Sequence, residues 1–289
     1  MSASSIGASD RQTATAEYVR AGGGGIPALF EYFAITARRY FKVSAISQLG
    51  APVLYLLALG VGLGSVVNKG TGAGSLGISY LSFIAPALVA ATALQVGAGE
   101  ATYPILHGGF KYHRTYFGMN ATPLTATQIA QATLAWIAVR AALSAVLYLL
   151  VVAGFGGLRS IASVLTVPVA ALGAMAFAAP VAAYSASIET EGGGFAAIFR
   201  FLVTPMFLFS GTFYPISTLP EWARLLAWVS PPWHATELAR WVSLGPLHLR
   251  SGVGQVSGLA VFVHLAYLVA LTVAGVLLTG WRYRVRLST

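Results

Sequence analysis

Few side chains in this sequence could carry out chemistry, and the first to consider are a pair of histidines. His107 and His113 follow Glu100, and imidazole and carboxylate groups are ligands that zinc accepts. Histidines that are solvated in a loop are far more common, and we favour that interpretation here. His234 and His264 are better explained as packed or hydrogen-bonded residues than as ligands. The sequence therefore predicts no metal site in this chain.

Arg140 is the most unusual charge, because it interrupts the apolar stretch of residues 126–152. An arginine in the middle of a membrane helix costs about 2.5–3.5 kcal/mol on insertion scales, so it must face protein or water. Two explanations are open. Arg140 lines a translocation path or contacts a subunit, or it is a structural partner of a backbone carbonyl or of a glutamine such as Gln95.

Basic and aromatic side chains are interleaved in residues 100–122. Arginine and aromatic residues dominate the energetics of protein interfaces, so this pattern predicts a surface on which another protein docks. A solvated connector would not need so many aromatic residues in so short a stretch. The candidate contact residues are Glu100, Tyr103, Lys111, Arg114, Tyr116 and Phe117.

The sequence lacks the motifs of most enzymes. It has no cysteine, no Gly-Lys-Ser/Thr phosphate loop, no Gly-x-Ser-x-Gly elbow and no His-Glu-x-x-His pair. Gly60, Gly62 and Gly64 have the spacing of a phosphate loop, but in an apolar segment such glycines allow helices to pack closely. We therefore predict a protein that is not an enzyme and that holds no cofactor of its own.

Composition excludes an ordinary soluble domain. The 289 residues are 57% hydrophobic and only 9% charged, and the mean hydropathy is +0.75, whereas soluble domains carry about 25% charged residues. The net charge of +9 does not indicate a nucleic-acid partner, because membrane proteins concentrate lysine and arginine in their cytoplasmic loops.

The apolar stretches predict an all-α integral membrane protein with six transmembrane helices. A bilayer core about 30 Å thick needs roughly 20 apolar residues per helix. Before the first span we predict a flexible cytoplasmic tail over residues 1–25 and an amphipathic helix on the membrane surface over residues 26–44. A basic cytoplasmic tail follows the last span at residues 282–289. The predicted spans are residues 45–67, 78–99, 126–152, 161–188, 195–214 and 256–281.

Basic residues beside the spans predict that both termini are cytoplasmic. This orientation leaves Lys69, Arg159, Arg224, Arg240 and Arg250 outside. No acidic residue lies inside a predicted span, which argues against an ion-coupled carrier with a carboxylate relay. The residues placed inside, or at the inner edge, are Arg38, Arg39, Lys42, Lys111, Arg114, Arg200, Arg282, Arg284 and Arg286.

Residues 215–242 predict a re-entrant hairpin on the outer side. Two moderately apolar pieces, residues 219–229 and 234–244, are too short to cross, because 11 residues rise only about 16 Å. Pro231 and Pro232 are expected to interrupt the helix between them, and Glu237 and Arg240 to share one face. The predicted gate residues are Gly211, Pro215, Pro220, Pro231, Pro232, His234 and Arg240.

Several motifs resemble the permease subunits of ABC exporters of the ABC-2 type. The most telling are Phe209-Ser-Gly-Thr-Phe-Tyr-Pro215, Thr218-Leu-Pro-Glu-Trp222 and Ser230-Pro-Pro-Trp-His234, followed by Arg240. Residues 52–64, 80–86, 100–103, 115–117 and 121–124 look like the NodJ- and DrrB-like branch of lipo-oligosaccharide and drug exporter permeases. The combination covers roughly residues 31–281.

The resemblance implies a six-helix permease in the inner or plasma membrane that pairs with a second permease copy or paralogue. Residues 26–42 would be the connecting helix, residues 100–122 the coupling helix, and residues 215–242 the outward-facing re-entrant helices. ATP and Mg would be bound by a separate ABC ATPase subunit. The expected cargo is an amphipathic drug-like or lipid-linked molecule, with a polysaccharide or lipo-oligosaccharide as the alternative. Outside this class, an ion-coupled secondary transporter and a membrane-embedded enzyme are the competing functions.

Overall fold

The computed structural model describes residue 13 and residues 24–67, 79–158, 160–189, 194–245 and 258–288, and the secondary structure in these ranges is helical. Most of the predicted tail over residues 1–25, and the loop positions Lys69, Arg159 and Arg250, lie outside the described residues. The side chain of Lys42 lies outside them as well.

Eleven α-helices occur in the described ranges, several of them extended by a π- or 3-10-helical segment. The π-helical segments are Leu56–Leu63, Pro104–Lys111 and Phe199–Val203, and the 3-10 segments are Ile161–Leu165 and Ile216–Thr218. The α-helices are α1 Gly25–Tyr55, α2 Gly64–Val67, α3 Tyr80–Glu100, α4 Thr115–Asn120, α5 Ala126–Gly154, α6 Thr166–Ser187, α7 Gly194–Ile198, α8 Thr204–Phe209, α9 Glu221–Val229, α10 Pro231–Leu244 and α11 Gly258–Leu287.

Four helical stretches in the described residues are long and apolar enough to cross a membrane: Tyr80–Lys111, Ala126–Gly154, Ile161–Ser187 and Gly258–Leu287. They match four of the six predicted spans. The other two predicted spans, residues 45–67 and 195–214, coincide with the shorter apolar helices Val53–Val66 and Gly194–Phe209. A membrane protein is therefore supported by length and composition, and the count of six crossings stays a prediction.

Helix α3 forms the centre of the bundle, and α5, α6 and α10 pack around it. Its Ala-rich surface is buried over most of its circumference. Small residues permit close approach, since a Cβ placed on Gly97 would lie 3.3 Å from the Cβ of Ala174 in α6. On its outer side, α6 packs along α11, where a Cβ on Gly275 would meet Pro180 at 2.5 Å. Close helix contact through alanine and glycine therefore holds the core together.

Two of the central helices begin at a side-chain cap. Ser79 accepts a hydrogen bond from the backbone N–H of Ser82 at the start of α3. At the start of α5, Thr125 and Gln128 cap each other's backbone N–H groups. Such caps satisfy donors that have no partner within the helix, and they set where each helix enters the bundle.

Several helices run past the ends that the sequence predicts. The predicted surface helix and first span form one continuous helix in α1, whose Phe30 and Phe33 rings pack on Trp136 of α5. The predicted basic tail after residue 281 is helical as far as Leu287, because Tyr283 and Leu287 are buried against the bundle. The stretch after Glu100, expected as a loop, continues the second span through Pro104–Lys111.

The sequence predicts that the two prolines before His234 interrupt a helix, and this prediction is wrong. Pro231 and Pro232 are the first residues of α10, and the break lies one residue earlier, at Ser230, where the backbone is extended. Proline fits the first turn of a helix because the N–H that it lacks would have no partner there. Pro220 likewise lies at the cap position before α9.

The α6–α11 contact gives a stability test. Replacing Gly275 with valine should force α11 away from Pro180, and overpacking of this kind costs about 1–3 kcal/mol. The thermal midpoint and the monodisperse yield in detergent should both fall. Gly280→Val is the matched control, because a Cβ there meets nothing within 4 Å. Equal losses from both variants would mean that the contact does not hold the two helices together.

Candidate functional site

Arg240 lies at the centre of the predicted gate and is fully buried. Its guanidinium donates to the backbone carbonyl of Phe83 at 3.2 Å, of Gly211 at 2.6 Å and of Thr212 at 3.0 Å. It also pairs with the Glu237 carboxylate at 3.2 Å, and the two side chains share one face of α10 as predicted. The guanidinium carbon lies 3.9 Å from the centre of the Phe83 ring. A buried arginine needs such acceptors, and here they tie α10 to α3 and to the turn after α8.

The turn after α8 directs its carbonyls into the protein. Gly211 has φ +73°, a conformation that other residues rarely adopt, and a Cβ there would lie 2.8 Å from Ile216. Two of the carbonyls in this turn accept from Arg240, and that of Phe213 accepts from the Tyr80 hydroxyl at 2.9 Å. Gly211, one of the predicted gate residues, therefore lies in a bend that α3 and α10 position.

His234 links α9 and α10 to α11. Its Nε2 donates to the carbonyl of Trp228 at 2.8 Å, and its Nδ1 lies 2.8 Å from the Nδ1 of His264. Because Nε2 is the donor to Trp228, Nδ1 of His234 accepts and His264 donates when both rings are neutral. Burial lowers the pKa of His234 to about 4, which keeps its ring neutral. This agrees with the expectation that both histidines are packed, hydrogen-bonded residues.

Helices α9 and α10 are two short helices, as predicted for the hairpin, but their burial differs sharply. In α10 most side chains are buried. In α9 only Ala223 and Ala227 are buried, and the exposed side is apolar, with Trp222, Leu225 and Leu226 each more than half exposed. An apolar face without a protein cover is typical of a helix that meets lipid, while re-entry into the membrane stays a prediction.

Arg140 pairs with Glu100, whereas the partners proposed from the sequence were a backbone carbonyl or Gln95. Its Nη2 lies 2.8 Å from Oε1 of Glu100, and its Nε donates to the same oxygen at 3.0 Å. The structural explanation for Arg140 is therefore supported, with Glu100 in place of Gln95. Glu100 also lies inside the helical stretch Tyr80–Lys111, one residue beyond the predicted second span.

Residues 100–122, called the docking segment from here on, rest on a buried aromatic cluster. Phe110, Tyr116 and Tyr283 meet pairwise at ring distances of 5.0 to 5.2 Å. The Tyr116 ring occupies the space where a Cβ on Gly109 would lie. Burial raises the pKa of Tyr116. Tyr116 is therefore an internal anchor of this segment and is not available as a contact residue, which corrects that interpretation.

Further bonds hold the docking segment in place, one to the end of α11 and one within the segment itself. Asn120 donates to the carbonyl of Leu287 at the end of α11, at 3.1 Å, and Thr115 donates to the carbonyl of Gly108 at 2.9 Å. Arg114, at the start of α4, has φ +50°, in the left-handed region that non-glycine residues seldom occupy, and its guanidinium stacks on Phe117 at 4.5 Å. The segment is thus held in one conformation.

The exposed part of the docking segment differs from the predicted set. Tyr112 is 61% exposed and was not among the predicted contacts. Its ring lies beside His107 and beneath the Lys111 ammonium. Arg114 and Tyr103 are also exposed, whereas Phe117 and Lys111 are half-buried. The composition of the stretch gave no means of separating Tyr112 from the buried Tyr116.

The remaining candidates concern metals and cavities. Among the described residues no group of three metal-ligating side chains occurs, and His107 packs instead between Tyr103 and Tyr112.

Two apolar grooves flank the stretch Gly194–Phe209. A groove of about 660 Å³ separates it from α6 and α11, and one of about 590 Å³ separates it from α1 and the π-helical segment that follows α1. Both volumes lie in the range of small-molecule sites, about 300–1,000 Å³.

Comparison with known proteins identifies a family and several relatives of the chain. Residues 27–244 match the family described as ABC-2 type transporter. Nodulation protein J of Rhizobium leguminosarum bv. viciae is 30% identical over 202 residues, which cover 70% of this chain and 75% of that protein. Nodulation protein J of Rhizobium meliloti is 28% identical over 222 residues, covering 75% and 82%. No solved structure matches the chain significantly.

The Arg240 site gives a direct test. Arg240→Met should leave Glu237 and three carbonyls buried without a donor, and removing one partner of a buried ion pair costs about 3–5 kcal/mol. Folded yield and thermal midpoint in detergent should collapse. Arg224→Met is the matched control in α9, because Arg224 makes one bond, to the carbonyl of Leu219. If Arg240→Met is as stable as Arg224→Met, the buried network does not hold the hairpin.

Proposed function

The chain belongs to the ABC-2 type transporter family as a permease of the branch that contains nodulation protein J, and we propose that it is the membrane subunit of an exporter driven by a separate ABC ATPase. The observation that carries the proposal is the docking segment. It exposes Tyr112 and Arg114 on a base that is fixed to the ends of the helices. Exposed aromatic and arginine side chains on a rigid support are what a protein partner requires.

The sequence supports separate roles for the permease and for its partner ATPase subunit. It contains no phosphate-loop motif, so ATP and Mg would be bound by the partner. The permease would supply the path, and a second copy or a paralogue would complete it. The exposed apolar residues of α1 and the neighbouring π-helical segment, such as Leu54 and Leu57, offer a surface for that second permease.

The grooves support an amphipathic cargo. Their walls are apolar, and the larger groove carries Tyr184, Ser230 and Tyr267 as its polar groups. Such a lining suits the lipid part of a drug-like or lipid-linked molecule. Of the cargoes implied by the resemblance, we favour a lipo-oligosaccharide over a drug. The relatives reported above are nodulation proteins J, and the resemblance associates that branch with lipo-oligosaccharide export.

An ion-coupled carrier is less well supported. Such carriers use carboxylates near the middle of the membrane. The acidic side chain that a described spanning helix does carry, Glu100, is neutralised by Arg140. No observation in the described part of the chain favours this alternative over the ATP-driven exporter.

Docking predicts a defined effect of substitution. Tyr112→Ala should reduce the ATPase recovered with the affinity-purified permease by at least about 5-fold, because an exposed aromatic anchor is worth 1 kcal/mol or more. The control is Tyr32→Ala in α1, a tyrosine that is 44% exposed outside the docking segment. Recovery of the ATPase at the parent level with Tyr112→Ala would contradict the assigned surface.

Orientation is testable because the chain has no cysteine. A membrane-impermeant thiol reagent applied from outside should label Ser217→Cys but not Ala121→Cys or Ser288→Cys, all of which are exposed positions. The excess of arginine and lysine on the predicted inner side is the physical reason. Labelling of position 121 from outside would reverse the proposed topology.

A further inference from the structure

Arg286, in the last turn of α11, contacts two other parts of the molecule at once. Its guanidinium carbon lies 4.2 Å from the centre of the Phe110 ring in the docking segment. Its Nη1 donates to the carbonyl of Ala186 at 2.9 Å and to that of Ser185 at 3.4 Å, both at the end of α6. One side chain of α11 therefore joins the docking segment to the end of α6.

The chemistry of these contacts suits arginine. The last carbonyls of a helix lack partners within it and carry a partial negative charge, so a cation there is stabilising. A planar guanidinium can donate to carbonyls while its face covers an aromatic ring, as the arrangement with Ala186 and Phe110 requires. Lysine has the charge but not the planar shape.

The end of α6 that Arg286 contacts leads directly into the larger groove. Tyr184, which lines the groove, precedes Ser185. Ser185 also donates to the carbonyl of Ala101, close to Glu100. A displacement of the docking segment would therefore move the α6 wall of the groove, because packed contacts are continuous from Phe110 through Arg286 to α6.

We propose that Arg286 is a positioning residue that couples the docking segment to the α6 side of the groove. The proposal rests on the proposed function, because it presumes that an ATPase moves the docking segment. Arg286 lies outside the residues that line the larger groove. It acts by keeping Phe110 and the end of α6 in a fixed relation, so that a shift of one displaces the other.

The neighbouring arginines provide matched controls. Arg284 lies two residues earlier, is exposed, and its bond is to the carbonyl of Gly280 in its own helix, at 3.4 Å. Arg282 lies over its neighbour Trp281. Arg284→Gln therefore removes the same charge from the same helical turn without touching the docking segment or α6.

The test measures a distance rather than transport, since it needs no cargo. Spin labels at Phe201→Cys and Ser187→Cys, both exposed, report the separation of the stretch Gly194–Phe209 from the end of α6. The permease is purified with its ATPase in nanodiscs, and a non-hydrolysable ATP analogue with Mg is added. The parent and Arg284→Gln should show the same nucleotide-dependent shift, roughly 2 Å or more for a helix displacement. Arg286→Gln should show none, and Arg286→Lys should retain about half of it.

The outcomes separate the two proposals. If no ATPase is recovered with the parent chain, the proposed function fails. If the ATPase is recovered and Arg286→Gln responds to nucleotide like the parent, only the coupling role fails. Loss of the ATPase from Arg286→Gln would also overturn the coupling role, because Arg286 would then act in assembly. Should Arg286→Gln not fold, Phe110→Leu tests the other side of the contact and should reduce the shift while the Ala186 bond remains.

Discussion

The structure depends most on the need to satisfy a guanidinium that water does not reach. Arg240 is fully buried, and its acceptors come from three separate parts of the chain: α3, the turn after α8 and α10 itself. An unpaired charge in such a place would cost far more than any packing contact contributes. The positions of α10 and of the Gly211 turn are therefore not independent, because each supplies what the same side chain requires.

This requirement also shortens the helix before the turn. The stretch Gly194–Phe209 ends at Ser210, and the next residues direct their carbonyls to Arg240 and Tyr80 instead of continuing a helix to residue 214 as predicted. Sixteen residues rise only about 24 Å, less than a bilayer core of about 30 Å. A π-helical segment interrupts this stretch, and α8 has no buried residue. The segment between the two grooves is consequently only weakly packed against the rest of the protein.

Sequence reasoning predicted the features that depend on length and composition. The membrane class, four long helices and a pair of short helices after Pro215 all follow from apolar stretches and their interruptions. The features that it missed depend on contacts between residues that the sequence does not show to be close together. Tyr112 and Tyr116 are the same residue type four positions apart, and only the packing of Phe110 and Tyr283 buries one and exposes the other. Pro231 likewise could end a helix or begin one, and the extended backbone at Ser230 decides it.

The Glu100–Arg140 pair depends on where the second helical stretch ends. The predicted spans put Glu100 at the end of one helix and Arg140 about 21 Å inside the next, so the sequence did not bring the two charges together. In the structure the helical stretch continues about 16 Å beyond Glu100 to Lys111, and two antiparallel neighbours then place both charges at a similar level.

The two charged pairs differ in a way that matters for function. Both side chains of the Glu100–Arg140 pair are partly exposed, at 21% and 14%, whereas Arg240 is completely enclosed. Arg240 also bonds to the carbonyl of Phe83 in α3, and opening these contacts would leave a buried charge without its partners. The partly exposed pair can exchange its contact for water at a lower cost. It lies where the docking segment begins, so the contact between that segment and α5 can open at a lower cost than the buried contacts of Arg240.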